Sequence, residues 1–329
     1  MLYDARGNRY VVCSPELLRS LGIGIAGEAA QAGRERATWA DAAIAALCHW
    51  PAGAQPVGAK AHCSDGLLVG PFQDTAPFDL LIVNTDGTLA ERSGNGLTIF
   101  AQSLVDQGRV KGEQGFTLNV HHDKTDAVSP VPVSVEPASA DAVQGFWLDL
   151  GAPAFGPAAV AAEGAEASRF NARDTWRVPS LAAVNSDWQH SVFVRIGNPH
   201  CVTWLDNPEA LPSMAQLRAP TLERPLTAIA YAQGDQGLGL PCVAGINLQW
   251  AARLGPQQLA ARVFERGEGP TESSGTSATA VACAAWQVGL VAAGQVSVQM
   301  PGGTAPLKLL EQEGRLTGVR LFGTARLAP

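Results

Sequence analysis

"NTDGTLAERSGNGLTIF", residues 84–100, decides how the chain is read. Ser93 stands before Gly94-Asn95-Gly96, and an apolar, helix-like run follows. Glycine lets the backbone turn tightly and lets a ligand approach it. A helix N-terminus carries unpaired N–H groups and the positive end of the helix dipole. "RGEGPTESSGTSATAVACAAW", residues 266–286, repeats the corner, with Ser274 before Gly275-Thr276 and a second apolar run. One serine at a helix start is an ordinary N-cap. Two in matching context read as two helix mouths that would grip one carboxylate. Ser93 and Ser274 would then flank the neighbouring carbon, a geometry for removing a proton from one face and returning one to the other. The two corners are the only internal echo in this reading. Glu91 and Glu272 each lie two residues before a serine. They are either relocated bases or solvated carboxylates that the helix dipole favours.

Outward from the corners, the 329-residue chain is long enough for two ordinary domains or one large one. It is 46% hydrophobic and 16% charged, which supplies a sizeable core. The net charge of -7 and the lack of a basic, aromatic-interleaved run argue against nucleic acid or an acidic membrane as partner. No apolar run approaches the ~20 residues of a membrane span, and "MLYDARGNRYVVCSPELL" does not read as a secretory leader. A cytoplasmic location follows as an expectation. The six cysteines form no C-x-x-C pair and read as reduced core residues. "HH" at 121–122 lacks metal-ligand spacing and reads as a solvated strand end, so no metal is expected.

Short runs rich in Val, Ile, Phe and Trp read as strands: "RYVVC", "FDLLIVN", "FTLNVH", "VPVSVEP", "FWLDL", "HSVFVRIG", "CVTWL", "GINLQWAA", "QLAARVFERG" and "GQVSVQM". Fewer runs read as helices. "SPELLRSLGI" has a Ser-Pro start, "TWADAAIAALCHW" is amphipathic from Thr38, and "GLTIFAQSLVDQG" and "SATAVACAAWQVGLV" read as buried helices, the last ending at "AAGQ". "VEPASADAVQG" reads as a linker near residue 138, and "GDQGLGLP" as a loop joining two strands. The pattern is α+β in two halves, each with many strands and one buried helix.

Seven segments in order resemble the diaminopimelate epimerase family. They are "ARGNRY" (5–10), "SDGLLV" (64–69), "NTDGTLAERSGNG" (84–96), "GNPHCVTWLD" (197–206), "GINLQW" (245–250), "FERGEGPTESSGTSA" (264–278) and "PGG" (301–303). The first resembles the family's G-N-D-F, the fourth its G-N-P-H-x-V, and the sixth its Y-E-R-G-x-G-E-T-x-x-C-G-[ST]-G. The resemblance implies an α+β fold of two pseudo-symmetric half-domains. Each is a curved, mainly antiparallel sheet around a central helix, with the active site in the cleft between them. The linker near residue 138, with the last segment returning to the first domain as the resemblance implies, gives residues 1–138 plus about 318–329 for the first half and 139–317 for the second. The resemblance implies a cofactor-independent isomerase of lysine biosynthesis, with no pyridoxal phosphate, nucleotide or metal, acting on an amino-acid-like small molecule as a monomer or homodimer. Gly94, Asn95, Gly275 and Thr276 would hold the α-carboxylate. Asn84, Asn198, Asn247, Glu265 and Arg266 would read the distal end, and Asn8 would stand near the reacting centre.

The departures carry as much weight. The family's two catalytic cysteines are Ser93 and Ser274 here. A thiol has a free pKa near 8.5, lowered further at a helix N-terminus. A hydroxyl is far less acidic and needs another base to activate it. Arg9, Pro270, Ser273 and Ser277 also differ from the family's residues, as in a drifted paralogue. The readings left open are an epimerase, a one-sided dehydratase or double-bond isomerase, and an amino-acid-binding protein without turnover.

Overall fold

Strands buried on both faces read as unbroken apolar runs, and that is how the chain is built on either side of residue 150. The computed structural model describes all residues except 57, 58, 60, 112, 125–127, 141, 142, 235 and 329. It divides into two units, Met1–Asp149 with Phe322–Pro329, and Leu150–Leu321.

The first unit carries strands β1 (Leu2–Ala5), β2 (Asn8–Cys13), β3 (Gly66–Val69), β4 (Phe78–Asn84), β5 (Phe116–His121), β6 (Val131–Ala140) and β7 (Val143–Asp149). Its helices are α1 (Pro15–Ser20), α2 (Ala29–Arg34), α3 (Ala40–Leu47) and α4 (Gly94–Asp106). Neighbours β1 to β7 pair in sequence order, parallel at β2–β3 and β4–β5 and antiparallel elsewhere. Alternate residues Val11, Cys13, Leu67, Val69, Leu81 and Val83 form one core with α1 to α3. The intervening residues face the other way, toward α4, which is the crossover between the parallel pair β4 and β5. Gly94 to Ala101 of α4 are all buried.

The second unit repeats this order. Its strands are β8 (Ala154–Phe155), β9 (Glu166–Phe170), β10 (Arg173–Arg177), β11 (Ser191–Ile196), β12 (Asn198–Trp204), β13 (Asn247–Gly255), β14 (Gln258–Glu265), β15 (Gly269–Thr271), β16 (Gly294–Met300), β17 (Gly303–Gln312) and β18 (Arg315–Gly323, which crosses the unit boundary). Its helices are α5 (Pro179–Val184), α6 (Met214–Leu217), α7 (Pro220–Ala230) and α8 (Gly275–Gln287). The series β11–β12–β13–β14–β16–β17–β18 is parallel at β12–β13 and β14–β16 and antiparallel elsewhere. That is the sequence of directions found from β1 to β7. Leu181, Leu217, Leu226 and Ile229 of α5 to α7 form a core with Phe193, Cys201, Leu248, Trp250 and Phe264. On the opposite face lies α8, buried from Gly275 to Ala285. A short β19 (Arg326–Leu327) returns the chain to β1 in the first unit.

Four expectations are corrected here. The described residues of the stretch read as a linker, 135–140 and 143–145, are paired strand, because β6 pairs antiparallel with β7 and Val135 lies opposite Leu148. The boundary falls after Asp149 instead. Helix α3 starts at Ala40 rather than Thr38, since its N-cap Trp39 makes no side-chain cap bond and its indole donates to Ala32 O at 2.9 Å. Helix α8 ends at Gln287, and Gly289 (φ 71°) turns the chain away well before "AAGQ". The "GDQGLGLP" loop joins helix α7 to strand β13 rather than two strands.

Candidate active site

Helices α4 and α8 begin alike. Ser93 (φ −143°, ψ 114°) and Ser274 (φ −151°, ψ 121°) are extended N-caps. Ser93 Oγ accepts from the Gly96 N–H at 3.1 Å, and Ser274 Oγ from the Ser277 N–H at 3.3 Å. One turn further, Thr98 Oγ1 and Thr279 Oγ1 donate to the Gly94 and Gly275 carbonyls, each at 2.8 Å. The N1 and N2 amides of each helix, on Gly94 and Asn95 and on Gly275 and Thr276, have no intrahelical acceptor by geometry.

The strands add a second echo that the sequence reading missed. "GNRY" at 7–10 and "GNPH" at 197–200 open the equivalent strands β2 and β12. Gly7 (φ 81°) and Gly197 (φ 72°) are left-handed, which favours glycine at both. Asn8 and Asn198 start the strands, with Tyr10 and His200 two residues on, on the same face. Tyr10 lies opposite Gly66, and Gly66 opposite Asn84. His200 lies opposite Asn247, and Leu248 opposite Phe264, just before Glu265. The structure therefore brings Asn8, Asn84, Ser93, Gly94 and Asn95 to the helix-mouth end of the first unit. It brings Asn198, Asn247, Glu265, Arg266, Ser274, Gly275 and Thr276 to the matching end of the second.

Inside each group the polar atoms are partly committed. Asn84 Nδ2 donates to Thr88 Oγ1 at 2.9 Å. Asn247 Oδ1 accepts from the Arg266 N–H at 2.8 Å, and Arg266 Nη1 donates to Ala244 O at 2.7 Å. The two carboxylates before the serines hold cations. Buried Glu91 pairs with Lys124 at 2.9 Å, and exposed Glu272 pairs with Arg218 at 3.2 Å. Their likeness in sequence does not extend to their surroundings.

The serines differ in what stands behind them. In the first unit Tyr10 Oη lies 3.3 Å from Ser93 Oγ. In the second, Thr276 Oγ1 lies 3.4 Å from Ser274 Oγ. Buried Gln249 Nε2 reaches His200 Nδ1 at 2.9 Å and donates to Ser277 Oγ at 3.0 Å. By strand and helix equivalence Gln249 and Ser277 match Leu68 and Gly96. A Cβ on Gly96 would come within 3.1 Å of Ser93 Oγ and 3.3 Å of Leu68. The same junction is thus apolar in one unit and a polar chain in the other.

His200 is fully buried, and that burial, with the Arg266 charge second, pushes its imidazole down to about 3. The unfolded chain binds a proton below its ordinary value near 6.5, and the folded chain does not. Stability is therefore complete above pH 6.5 and lost as pH falls toward 3, by up to about 1.4 kcal/mol per pH unit. His200→Gln is expected to flatten that acid slope in urea unfolding between pH 7 and 4. A slope identical to wild type would show that the imidazole is charged in the fold.

Five of the six cysteines are buried, and Cys63 is half-buried. All six are free. Burial raises Cys13 and Cys201 to about 12 and Cys48 and Cys242 to about 11, and raises Cys283 as well. The His121–His122 pair is buried, against the solvated strand end expected of it. His121 lies 3.5 Å from Asp79, and His122 Nδ1 accepts from the Lys124 N–H at 3.2 Å. No group of metal-binding side chains occurs among the described residues, and no helix there is long and apolar enough to cross a membrane.

A family model described as diaminopimelate epimerase matches residues 192–327. Diaminopimelate epimerase 2 of Nostoc sp. is 30% identical over 252 residues, 73% of this chain and 72% of that protein. Diaminopimelate epimerase of Burkholderia thailandensis is 30% identical over 247 residues, 72% of each. The chain belongs to the diaminopimelate epimerase family. Among solved structures, a probable proline racemase from Agrobacterium radiobacter matches with a TM-score of 0.61 at 12% identity, covering 100% of this chain and 90% of that one. A phenazine biosynthesis protein of the PhzF family from Bacillus anthracis matches with a TM-score of 0.57 at 12% identity, covering 100% and 96%. These likenesses establish the shared two-unit α+β fold.

Proposed function

We propose that the protein is a cofactor-independent epimerase acting at the α-carbon of a small, diaminopimelate-like amino acid, with Ser93 and Ser274 as its two acid/base posts. The observation that carries the reading is the duplication itself. Two buried helices start on a serine with the same cap geometry, in a chain of the diaminopimelate epimerase family. A carboxylate offered the N1 and N2 amides of such a helix meets oriented donors and the positive end of its dipole. Arg266 and Glu265 supply opposite charges for the far, amino-acid end of the substrate. In this reading Asn8, Asn84, Asn198 and Asn247 line the polar path, with Asn247 also fixing the Arg266 backbone. The protein works in the cytoplasm.

Hydroxyls are poor bases, so the unequal surroundings of Ser93 and Ser274 favour a second reading: proton removal by one post only, as in a dehydratase or double-bond isomerase. Proton NMR in deuterated buffer with LL- and meso-diaminopimelate tests the first. Loss of the α-proton signal with interconversion of the isomers is the expected result. Ligand broadening without any loss of signal overturns it in favour of other acids or of binding alone.

A further inference from the structure

We propose that Tyr10 is the proton partner of Ser93, a positioning residue that lets a hydroxyl serve where the family resemblance puts a thiol. This rests on the reading of Ser93 as an acid/base post. Three observations carry it.

The first is contact. Tyr10 Oη lies 3.3 Å from Ser93 Oγ, and the same oxygen accepts the Gly96 N–H at 3.1 Å. Catalytic hydrogen bonds are often long before substrate binds and tighten with it. The second is the space made for the ring. Tyr10 is 6% exposed and lies opposite Gly66 on β3. A Cβ on Gly66 would fall 2.7 Å from Tyr10 Cε1 and 2.6 Å from Val83 O. Any larger residue there would push the phenol off its seat. The third is the internal comparison. The matching residue of the second unit is His200, which reaches its helix through Gln249 and Ser277. Tyr10 is a titratable group directly on the first serine, whereas the hydroxyl nearest Ser274 Oγ among the described residues is that of Thr276.

The step balances without any added reagent. A tyrosinate accepts the Ser93 hydroxyl proton as the serine oxygen accepts the substrate's α-hydrogen. The products are a phenol, a serine hydroxyl and a substrate carbanion, and the reverse returns the proton. A phenol ionises near pH 10 and a serine hydroxyl far above it, so the pair is a stronger base than serine alone. The titratable groups on elements packed against Tyr10 are Tyr3 and Asp4 on β1, Asp106 on α4 and Asp65 at the start of β3, with Arg9 and Cys13 on its own strand. Tyr3 Oη donates to Asp106 at 2.9 Å, Asp65 accepts the Arg9 N–H at 2.7 Å, and Asp4 accepts the Gly7 N–H at 3.1 Å, so all three carboxylates are engaged.

Two measurements on Tyr10→Phe test the assignment. In α-proton exchange, the wild-type rate is expected to climb with pH, approaching tenfold per unit between pH 7 and 9. Tyr10→Phe is expected to lower kcat by about 10²-fold, remove that climb and leave KM within twofold. Unchanged exchange and an unchanged pH profile would overturn the proposal while leaving the proposed function standing. The second measurement needs no turnover. The Ser93→Cys thiol is titrated by its iodoacetamide labelling rate, read by peptide mass spectrometry. A phenol that donates to the thiolate lowers its pKa, so adding Tyr10→Phe is expected to slow labelling at pH 7.5 by threefold or more. Equal labelling overturns the contact. Slower labelling in a protein that exchanges no α-proton upholds the contact and sinks the epimerase reading.

Discussion

Replacing both serines by cysteine, Ser93→Cys with Ser274→Cys, is expected to raise α-proton exchange by on the order of 10²- to 10⁴-fold, the usual worth of positioned general acid–base catalysis. A thiol at a helix mouth is ionised to a useful extent at neutral pH, whereas a hydroxyl is not. Both positions are prepared for an anion. Each serine oxygen already accepts an N3 amide, from Gly96 at 3.1 Å and from Ser277 at 3.3 Å. A sulfur atom is larger than oxygen, and Ser274 is 7% exposed with Thr276 Oγ1 at 3.4 Å, so the second substitution has less room. The single variants are expected to fall well short of the double, since epimerisation uses a post on each face and the weaker one limits the rate. The check is deuterium wash-out with each isomer at matched ligand occupancy. Ligand that binds with no gain in exchange would mean the remaining lining, where Arg9, Pro270, Ser273 and Ser277 depart from the family pattern, has been rebuilt for another reaction.

Much of this architecture was legible because its strands are buried on both faces. "FDLLIVN" and "HSVFVRIG" show continuous apolar runs, and each became a strand between two helical layers. Strands β17 and β18 escaped notice for the opposite reason. "GTAPLKLLEQ" and "RLTGVRLFG" interleave Lys, Glu, Arg and Thr with their apolar residues, and their burial alternates. Helix α7 was hidden by Pro225 in its interior, which ordinarily argues against helix. At the candidate site, the serine corners stood out because Gly and Ser are strong local punctuation. The strand echo did not, since "GNRY" and "GNPH" share two residues while Tyr and His differ in chemistry. Pairs such as Tyr10 with Ser93, or Gln249 with Ser277, are set by register across strands and onto a helix. Spacing along one chain does not carry that information. Glu91 and Glu272 show the converse. Their symmetric positions invited one role, and their different burial and cation partners give them two environments.

Gly323→Ala is expected to destabilise the first unit by about 3 kcal/mol, at the upper end of overpacking costs, and to disturb the Ser93 post with it. Gly323 closes β18 within the segment that returns to the first unit. Its backbone is not in the left-handed region, so the argument is one of space. A Cβ there would lie 2.0 Å from Thr98 Oγ1 and 2.9 Å from Thr98 Cβ, on the first turn of α4. Gly145 on β7 continues the constraint, since its own Cβ would fall 2.4 Å from Gly323 O. Two glycines thus let β7 and the returning segment approach the buried start of α4. Thr98 has little freedom to withdraw, because its Oγ1 already donates to Gly94 O at 2.8 Å. A methyl group at 323 has to move the turn that presents Gly94, Asn95 and the Ser93 cap. The expected result is a lower urea midpoint together with a faster alkylation of the Ser93→Cys thiol, as the helix mouth loosens. The double variant Gly323→Ala with Thr98→Ala removes Thr98 Oγ1 and Cγ2, the two atoms nearest the new methyl, so it is expected to recover part of the loss. A Gly323→Ala protein as stable as wild type would show that the returning segment does not press on α4, and would remove this support from the post.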